Sequence, residues 1–489
     1  MIDYRAIAPE LILGGTILLV LVVDAFLPER FKQVAMGLSL VGVIAALAAV
    51  ISMVGGPVRE TFGGSFVVDR FTLLFQGFFL VAAIVVLALS LRYVREGGLF
   101  QGEYYFLLLT ALLGCVLMPA SRNLLLLFIA LELVSAPSFI MAALRKGDVR
   151  SSEGALKFFI VGVLSTAVTL YGMSMIYGLT GGKLQLTEVA AGLSGLTGGQ
   201  ETLAMVSILF VIAGFAFKVS AVPFQFWAPD AYEGSPVPVA AFLAVASKVA
   251  GFAGLLQLMF IAFIGQNEMW VPIFAILSIA TMTLGNLVAL QQKQVVRLLA
   301  YSGIAQAGYI LLPFALVTSN QATNASAFSA ATMYILIYGV MNLGAFAVVV
   351  AVSRSKPRLL ISDFAGLMKV APVLAIGMTV FMISLAGVPP TGGFWGKLFI
   401  FRAAIDRGGS LGIWLAIIML VNSVISVGYY FLVPREMIFR APDGEPTSRT
   451  RSPLLVTATV AVLTAAILII FVVPGTLARL ADLSTLVGG

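Results

Sequence analysis

Uninterrupted apolar runs of about twenty residues recur along the whole chain. Each is about long enough for an α-helix to cross the hydrocarbon core of a bilayer. Backbone polar groups in lipid must be satisfied internally, so such runs fold as helices. A transmembrane β-barrel would show short alternating segments, and these runs do not alternate. Of the 489 residues, 60% are hydrophobic and 10% charged, against roughly 25% charged in soluble domains. The expected fold is an all-α polytopic membrane protein.

Fourteen spans are predicted, near 9–27, 35–54, 71–91, 104–119, 123–144, 154–179, 203–230, 236–263, 270–290, 296–316, 326–352, 371–407, 410–434 and 453–474. Glu10 opens the first, and no small-residue cleavage site follows it, so that span is expected to be retained. The seventh and twelfth are too long or too interrupted for one straight helix. The seventh contains "AVPFQFW" at 221–227 and the twelfth "GVPPTGGFW" at 387–395. Pro223, Pro389 and Pro390 lack backbone donors and are expected to break these helices. The two breaks lie five spans apart, an odd number, so the copies would be inverted in the membrane. Inverted repeats with broken helices are a transporter architecture. The expected division is three N-terminal spans in 1–100, a first half in 101–265 (spans four to eight), a second, inverted half in 266–436 (spans nine to thirteen), and span fourteen with a short tail in 437–489.

Orientation follows from the positive-inside rule. Loops after odd-numbered spans hold seventeen Lys and Arg: Arg30, Lys32, Arg92, Arg95, Arg145, Lys146, Arg150, Lys293, Arg297, Arg354, Lys356, Arg358, Lys369, Arg435, Arg440, Arg449 and Arg451. The opposite side holds eight. Both termini are therefore expected outside, on the periplasmic face of a bacterial inner membrane. The net charge of +7 is spread over short loops and is no nucleic-acid footprint. With one cysteine, Cys115, and no histidine, the chain has too few ligands for an iron–sulfur cluster, a His-ligated haem or a Cys/His zinc site. No cofactor is expected in this chain.

The four remaining basic residues lie inside apolar spans, and all are lysines: Lys157, Lys218, Lys248 and Lys397. A charge at a helix centre costs roughly 2.5–3.5 kcal/mol on insertion scales and usually marks a functional interior. The alternative is snorkelling, in which a long stem carries the amine to the interface. Lys218 lies about 15 residues into its span, roughly 22 Å at 1.5 Å per residue, where snorkelling is hard. Pro223 frees carbonyls nearby, and such backbone must face protein or water. Lys248 is also near mid-depth. Lys397 follows the second break without a local partner, whereas Arg402 and Asp406 can pair at i,i+4. Lys157 lies near the inner end of span six, where snorkelling is easy. Glu132 is the one acid deep within a span. A lone carboxylate there would protonate or find a cation on another helix. Asp24, near a span end, reads as structural. Tyr301, Ser302, Gln306 and Tyr309 align polar groups on span ten, for packing or for a water chain.

A lysine balanced between burial and a nearby carboxylate can take and release a proton as its neighbour moves. Arginine cannot, because it stays charged. Lysines in a row with water between them form a proton relay.

The segments "LELVSAPSF", "GFAFKVSAVPFQFWAPDAYEGSPVPVAAFLAVASKVAGF", "QQKQVVRLLAYSGIAQAGY" and "LAGVPPTGGFWGKLFIF" resemble the antiporter-like membrane subunits of respiratory complex I, the N type most closely. The resemblance covers nearly the whole chain. The expected absence of a long lateral helix after span fourteen argues against the L type. Lys397, where the M type has glutamate, argues against M. The resemblance implies that Glu132 and Lys218 are the Glu–Lys pair of a first half-channel. It implies that Lys248 is the central lysine, Lys397 the lysine of the outward half-channel, and Lys157, in "ALKFF", a further member. Where the family often has histidine, this chain has Gln306, which can hold water but cannot take the proton. The implied function is proton translocation coupled to NADH oxidation by quinone. FMN and iron–sulfur clusters would reside in partner subunits, with quinone as substrate of the complex. The implied neighbours are other antiporter-like and small membrane subunits, within the lipid bilayer. A D-type subunit of a multisubunit sodium/proton antiporter shares the lysine pattern. A solute transporter would show a substrate pocket. A purely structural subunit would not need four lysines in its spans.

Overall fold

The computed structural model describes residues 2–28, 31–99, 101–441, 453–475, 479 and 481. Arg30, Arg449, Arg451 and tail residues 482–489 lie outside them. Among the described residues, thirteen helical segments are long and apolar enough to cross a membrane. They coincide with the expected spans except the twelfth, which forms two shorter helices, Pro372–Ala386 and Gly392–Arg407. The seventh begins as Gly199–Lys218, leaves helical geometry over 219–226, and resumes as Trp227–Gly234. The fold is polytopic and all-α. Its only sheet among the described residues is a hairpin pairing Arg59–Thr61 with Phe66–Val68. That hairpin and a short helix, Leu186–Ser194, sit in loops and were not expected.

Helix starts follow their caps. Asn123 accepts from Leu125 N at 2.9 Å and opens the fifth span, Leu124–Ala142. Asp148 accepts from Arg150 N at 2.9 Å and starts the sixth span at Val149, five residues earlier than expected, because a side-chain acceptor satisfies an orphan amide there. Glycine permits close approach of the ninth and tenth spans. A Cβ on Gly308 would lie 2.4 Å from the Met282 amide, and one on Gly285 2.5 Å from that of Ala305. Such small-residue contacts are how helices pack in lipid, where no hydrophobic force drives them together.

Burial ranks the spans. The most apolar stretch of the eighth, Val237–Ala262, is 100% buried, whereas that of the fourteenth, Leu454–Val472, is 22% buried. Any polar group on the eighth span therefore faces protein. Its helix widens into π-helical turns at Leu243–Ser247 and Leu258–Ala262, flanking a regular segment that starts at Lys248. Such turns recur at functional sites. The large apolar residues of the first, second and sixth spans, such as Leu18, Val41 and Leu164, point outward.

Candidate functional site: a row of buried lysines

Lys218 is the last residue of the helix Gly199–Lys218, where the macrodipole favours positive charge. It is 2% exposed. Its Nζ donates to Ser135 Oγ at 2.9 Å. Ser135 lies one turn along the fifth span from Glu132. The half-buried Glu132 carboxylate accepts from Thr166 Oγ1 of the sixth span at 2.8 Å. Among the described residues Glu132 forms no ion pair, so a hydroxyl stands where a cation was expected. The lysine stem runs close to the eighth span: a Cβ on Gly251 would lie 3.1 Å from Lys218 Cγ. Gly251 is one turn beyond Lys248.

Lys248 is 1% exposed, and its Nζ donates to the Gly303 carbonyl at 2.9 Å. The absent side chain of Gly303 makes room for this amine, since a Cβ there would lie 3.2 Å from Nζ and 3.1 Å from Tyr338 Oη. Tyr338 donates to the Ala244 carbonyl in the adjacent π-turn at 2.9 Å and accepts from Asn342 Nδ2 at 2.9 Å.

One turn on from Gly303, Gln306 takes the next step. Its Nε2 donates to the Leu385 carbonyl and to Tyr430 Oη, both at 2.9 Å, while Tyr334 donates to its Oε1. Ser302 and Tyr430 share a hydrogen bond of 2.6 Å. Leu385 precedes Ala386, whose carbonyl receives Lys397 Nζ at 2.8 Å. Ala386 ends the helix Pro372–Ala386, so this carbonyl is one that a helix leaves unpaired. Gly387 holds φ +84° beside it, and a Cβ there would lie 2.6 Å from Lys397 Cδ. Lys397 is 7% exposed and lies 4.5 Å from the Tyr309 ring centroid, close enough for a cation–π attraction. Tyr309 Oη accepts from Asn286 Nδ2 at 3.1 Å.

Glu132, Lys218, Lys248, Ser302, Gln306 and Lys397 thus lie on neighbouring turns of packed helices through the protein interior. Two expected members stand apart. Tyr301 is half-buried and packs against the core, and its hydroxyl makes no hydrogen bond among the described residues. Lys157 has a 41% exposed side chain and pairs with Asp230 at 2.6 Å and Glu153 at 2.7 Å. Arg297 joins that cluster through Asp230 at 2.7 Å and Glu233 at 2.8 Å. Pro223 follows Val222, and Pro390 follows Pro389, through cis peptide bonds, inside the non-helical segments 219–226 and 387–391. Asp24 pairs with Lys32 at 3.2 Å, and Arg402 with Asp406 at 3.5 Å.

Sequence reasoning missed Tyr334, Tyr338 and Asn342. Their i, i+4, i+8 spacing in "YILIYGVMN" sets them on one face of the eleventh span, and that was a usable signal. It also missed a clamp on the side carrying both chain ends. There, Arg122 pairs with Asp69 at 2.6 Å, donates to the Pro119 carbonyl at 2.7 Å, and bonds Gln257 of the eighth span. Asp69 and Arg122 looked like ordinary loop charges.

A family model described as NADH:quinone oxidoreductase/Mrp antiporter, TM, matches residues 121–426. NADH-quinone oxidoreductase subunit N 2 of Streptomyces griseus is 40% identical over 99% of this chain and 94% of its own length. A chain of respiratory complex I from Thermus thermophilus, solved with bound aureothin, superposes with a TM-score of 0.80 at 31% identity, covering 97% of this chain and all of its own. A chain of the Mrp complex from Dietzia sp. superposes at 0.85 with 20% identity, covering 98% of this chain and 96% of its own, a likeness of fold alone. The chain belongs to the NADH:quinone oxidoreductase/Mrp antiporter membrane family, and within it to the subunit N group of NADH-quinone oxidoreductases.

Proposed function

We propose that this chain is a proton-translocating membrane subunit of a bacterial NADH:quinone oxidoreductase. The observation that carries the reading is the lysine row. Lys218, Lys248 and Lys397 are almost wholly buried, none is ion-paired among the described residues, and each amine donates to an uncharged oxygen, at Ser135, Gly303 and Ala386. Lysine is the basic side chain whose proton can be removed at accessible cost once water is stripped away.

In this reading protons enter from the cytoplasm, load the Lys218–Lys248 region, pass through the polar groups around Gln306 to Lys397, and leave outward. Gln306 relays through water and hydrogen bonds without changing charge. In the arrangement observed, Glu132 binds Thr166 and Lys218 binds Ser135, so the carboxylate and the amine make no ion pair; in this reading, such separation is what favours release of the Lys218 proton. The two interrupted spans and their lysines support a division into two inverted halves, 101–265 and 266–436. Lys157 belongs to the inner mouth, where its ion pairs with Asp230 and Glu153 hold the entrance together. Both termini face the periplasm. Neighbouring antiporter-like and small membrane subunits flank the chain. Electron transfer from NADH through FMN and iron–sulfur clusters to quinone takes place in partner subunits.

The test uses native membrane vesicles from a Lys218→Met strain in which assembly of the complex has been verified. NADH:quinone turnover and NADH-driven proton movement are followed together. Loss of both is expected. Normal values for both, with sodium/proton exchange lost instead, would establish the antiporter D-type reading, which the fold likeness to the Mrp chain keeps as the second choice.

A further inference from the structure

A groove of about 680 Å³ opens between the third, eleventh and fourteenth spans, away from the lysine row. This is the size of a small-molecule site. Its walls are almost entirely aliphatic and aromatic, among them Val85, Leu336 and Leu463. Its mouth holds two arginines, Arg70 at the start of the third span and Arg479 beyond the end of the fourteenth. Neither forms an ion pair with a carboxylate among the described residues.

Depth decides what fits. From Arg70 to Val85 the groove follows fifteen residues of helix, roughly 22 Å. A hydrocarbon core of about 30 Å gives each leaflet about 15 Å. The groove is therefore as deep as one leaflet with its headgroup layer, and too short for a helix crossing both. An occupant must be apolar over one leaflet and anionic at its head.

We infer that this groove is a binding site for an anionic glycerophospholipid of the leaflet facing the side of both chain ends, with its phosphate between Arg70 and Arg479 and an acyl chain along the third span. Guanidinium groups match phosphate oxygens in charge and in fork geometry. Gly77 lies midway along the groove, and a Cβ there would meet nothing within 4 Å. That open space is where the acyl chain lies.

The assembled complex is reconstituted into phosphatidylcholine vesicles doped with phosphatidylglycerol carrying a diazirine in one acyl chain. Crosslinked residues are mapped by mass spectrometry. Labelling is expected to concentrate on 77–85 and 463–470 and to be outcompeted by unlabelled phosphatidylglycerol. A diazirine phosphatidylcholine should label the groove less. Arg70→Gln and Arg479→Gln should each lower the preference for the anionic probe about fivefold, in line with the value of one interfacial charge. Gly77→Leu fills the groove, keeps both arginines, and should abolish labelling there; it serves if the arginine variants do not assemble. Equal labelling at the bilayer-facing Leu18 overturns the inference in favour of bulk lipid. Absence of label in the groove, with crosslinks from 77–85 to a partner subunit, overturns it in favour of a protein contact.

Discussion

The two interrupted spans solve one electrostatic problem in different ways. In the seventh, the lysine is the last residue of the first helical piece, and its amine reaches across to a neighbouring helix, to Ser135. In the twelfth, the lysine belongs to the second piece and folds back onto the last carbonyl of the first, at Ala386. Both amines thus lie at the negative end of a half-helix. Their other neighbours differ. A titratable carboxylate, Glu132, sits one turn from the acceptor of Lys218. Lys397 is surrounded by groups that keep their charge: a carbonyl, the Tyr309 ring and, one residue back, the carbonyl bonded to Gln306. In the proposed mechanism the first lysine would be switched by moving an acid, and the second governed by fixed dipoles and by whatever arrives along the row.

The strongest way to break this comparison is Lys397→Met against Lys218→Met in assembled vesicles. Each should reduce NADH-driven proton movement at least about tenfold, a barrier change of roughly 1.4 kcal/mol. If either is silent, the two sites are not members of one row. Glu132→Gln should depress proton movement by a smaller factor, because Lys218 survives without its switch. An effect as large as that of Lys218→Met would mean that the acid carries protons itself. Gly387→Ala should cost about 1–3 kcal/mol of stability, read as a lowered melting temperature, because φ is positive and the Cβ would strike the Lys397 stem. Tyr309→Leu should weaken retention of charge at Lys397 more than Tyr309→Phe, because phenylalanine keeps the face of the ring; proton-movement rates of the two variants measure this. The smallest effect is expected at Lys157→Met. Its ion pairs are partly exposed and lie apart from the buried lysines, and a fall in proton movement comparable to that of Lys218→Met would return it to the row.

The spans were legible because lipid allows so few structures that length and apolarity nearly suffice. The interruptions at Pro223 and Pro389–Pro390 could be placed to within a few residues, since proline removes a donor that nothing in lipid can replace. Lys218, Lys248 and Lys397 stood out because each is a costly residue at depth. Their partners did not. The Gly303 and Ala386 carbonyls are backbone, identical in every sequence, and become acceptors only when helices converge. Tyr334 and Tyr338 read as ordinary aromatics on a span that is mostly buried. The setting of Lys157 was only half legible: of its two ion-pair partners, Glu153 lies one turn away on the same helix, whereas Asp230 is 73 residues distant, and sequence distance hides such a pair.

Arg122 remains charged at any pH the cell can reach. It ties the start of the third span, the end of the fourth and the eighth together at one point. A guanidinium cannot hand its proton on, and the Asp69 carboxylate beside it makes the pair neutral. In the proposed reading this fixed pair would act as an insulator on the side carrying both chain ends. Its tightness would limit how much of the membrane's stored gradient leaks back, and Arg122→Ala vesicles should lose an imposed pH difference faster between turnovers.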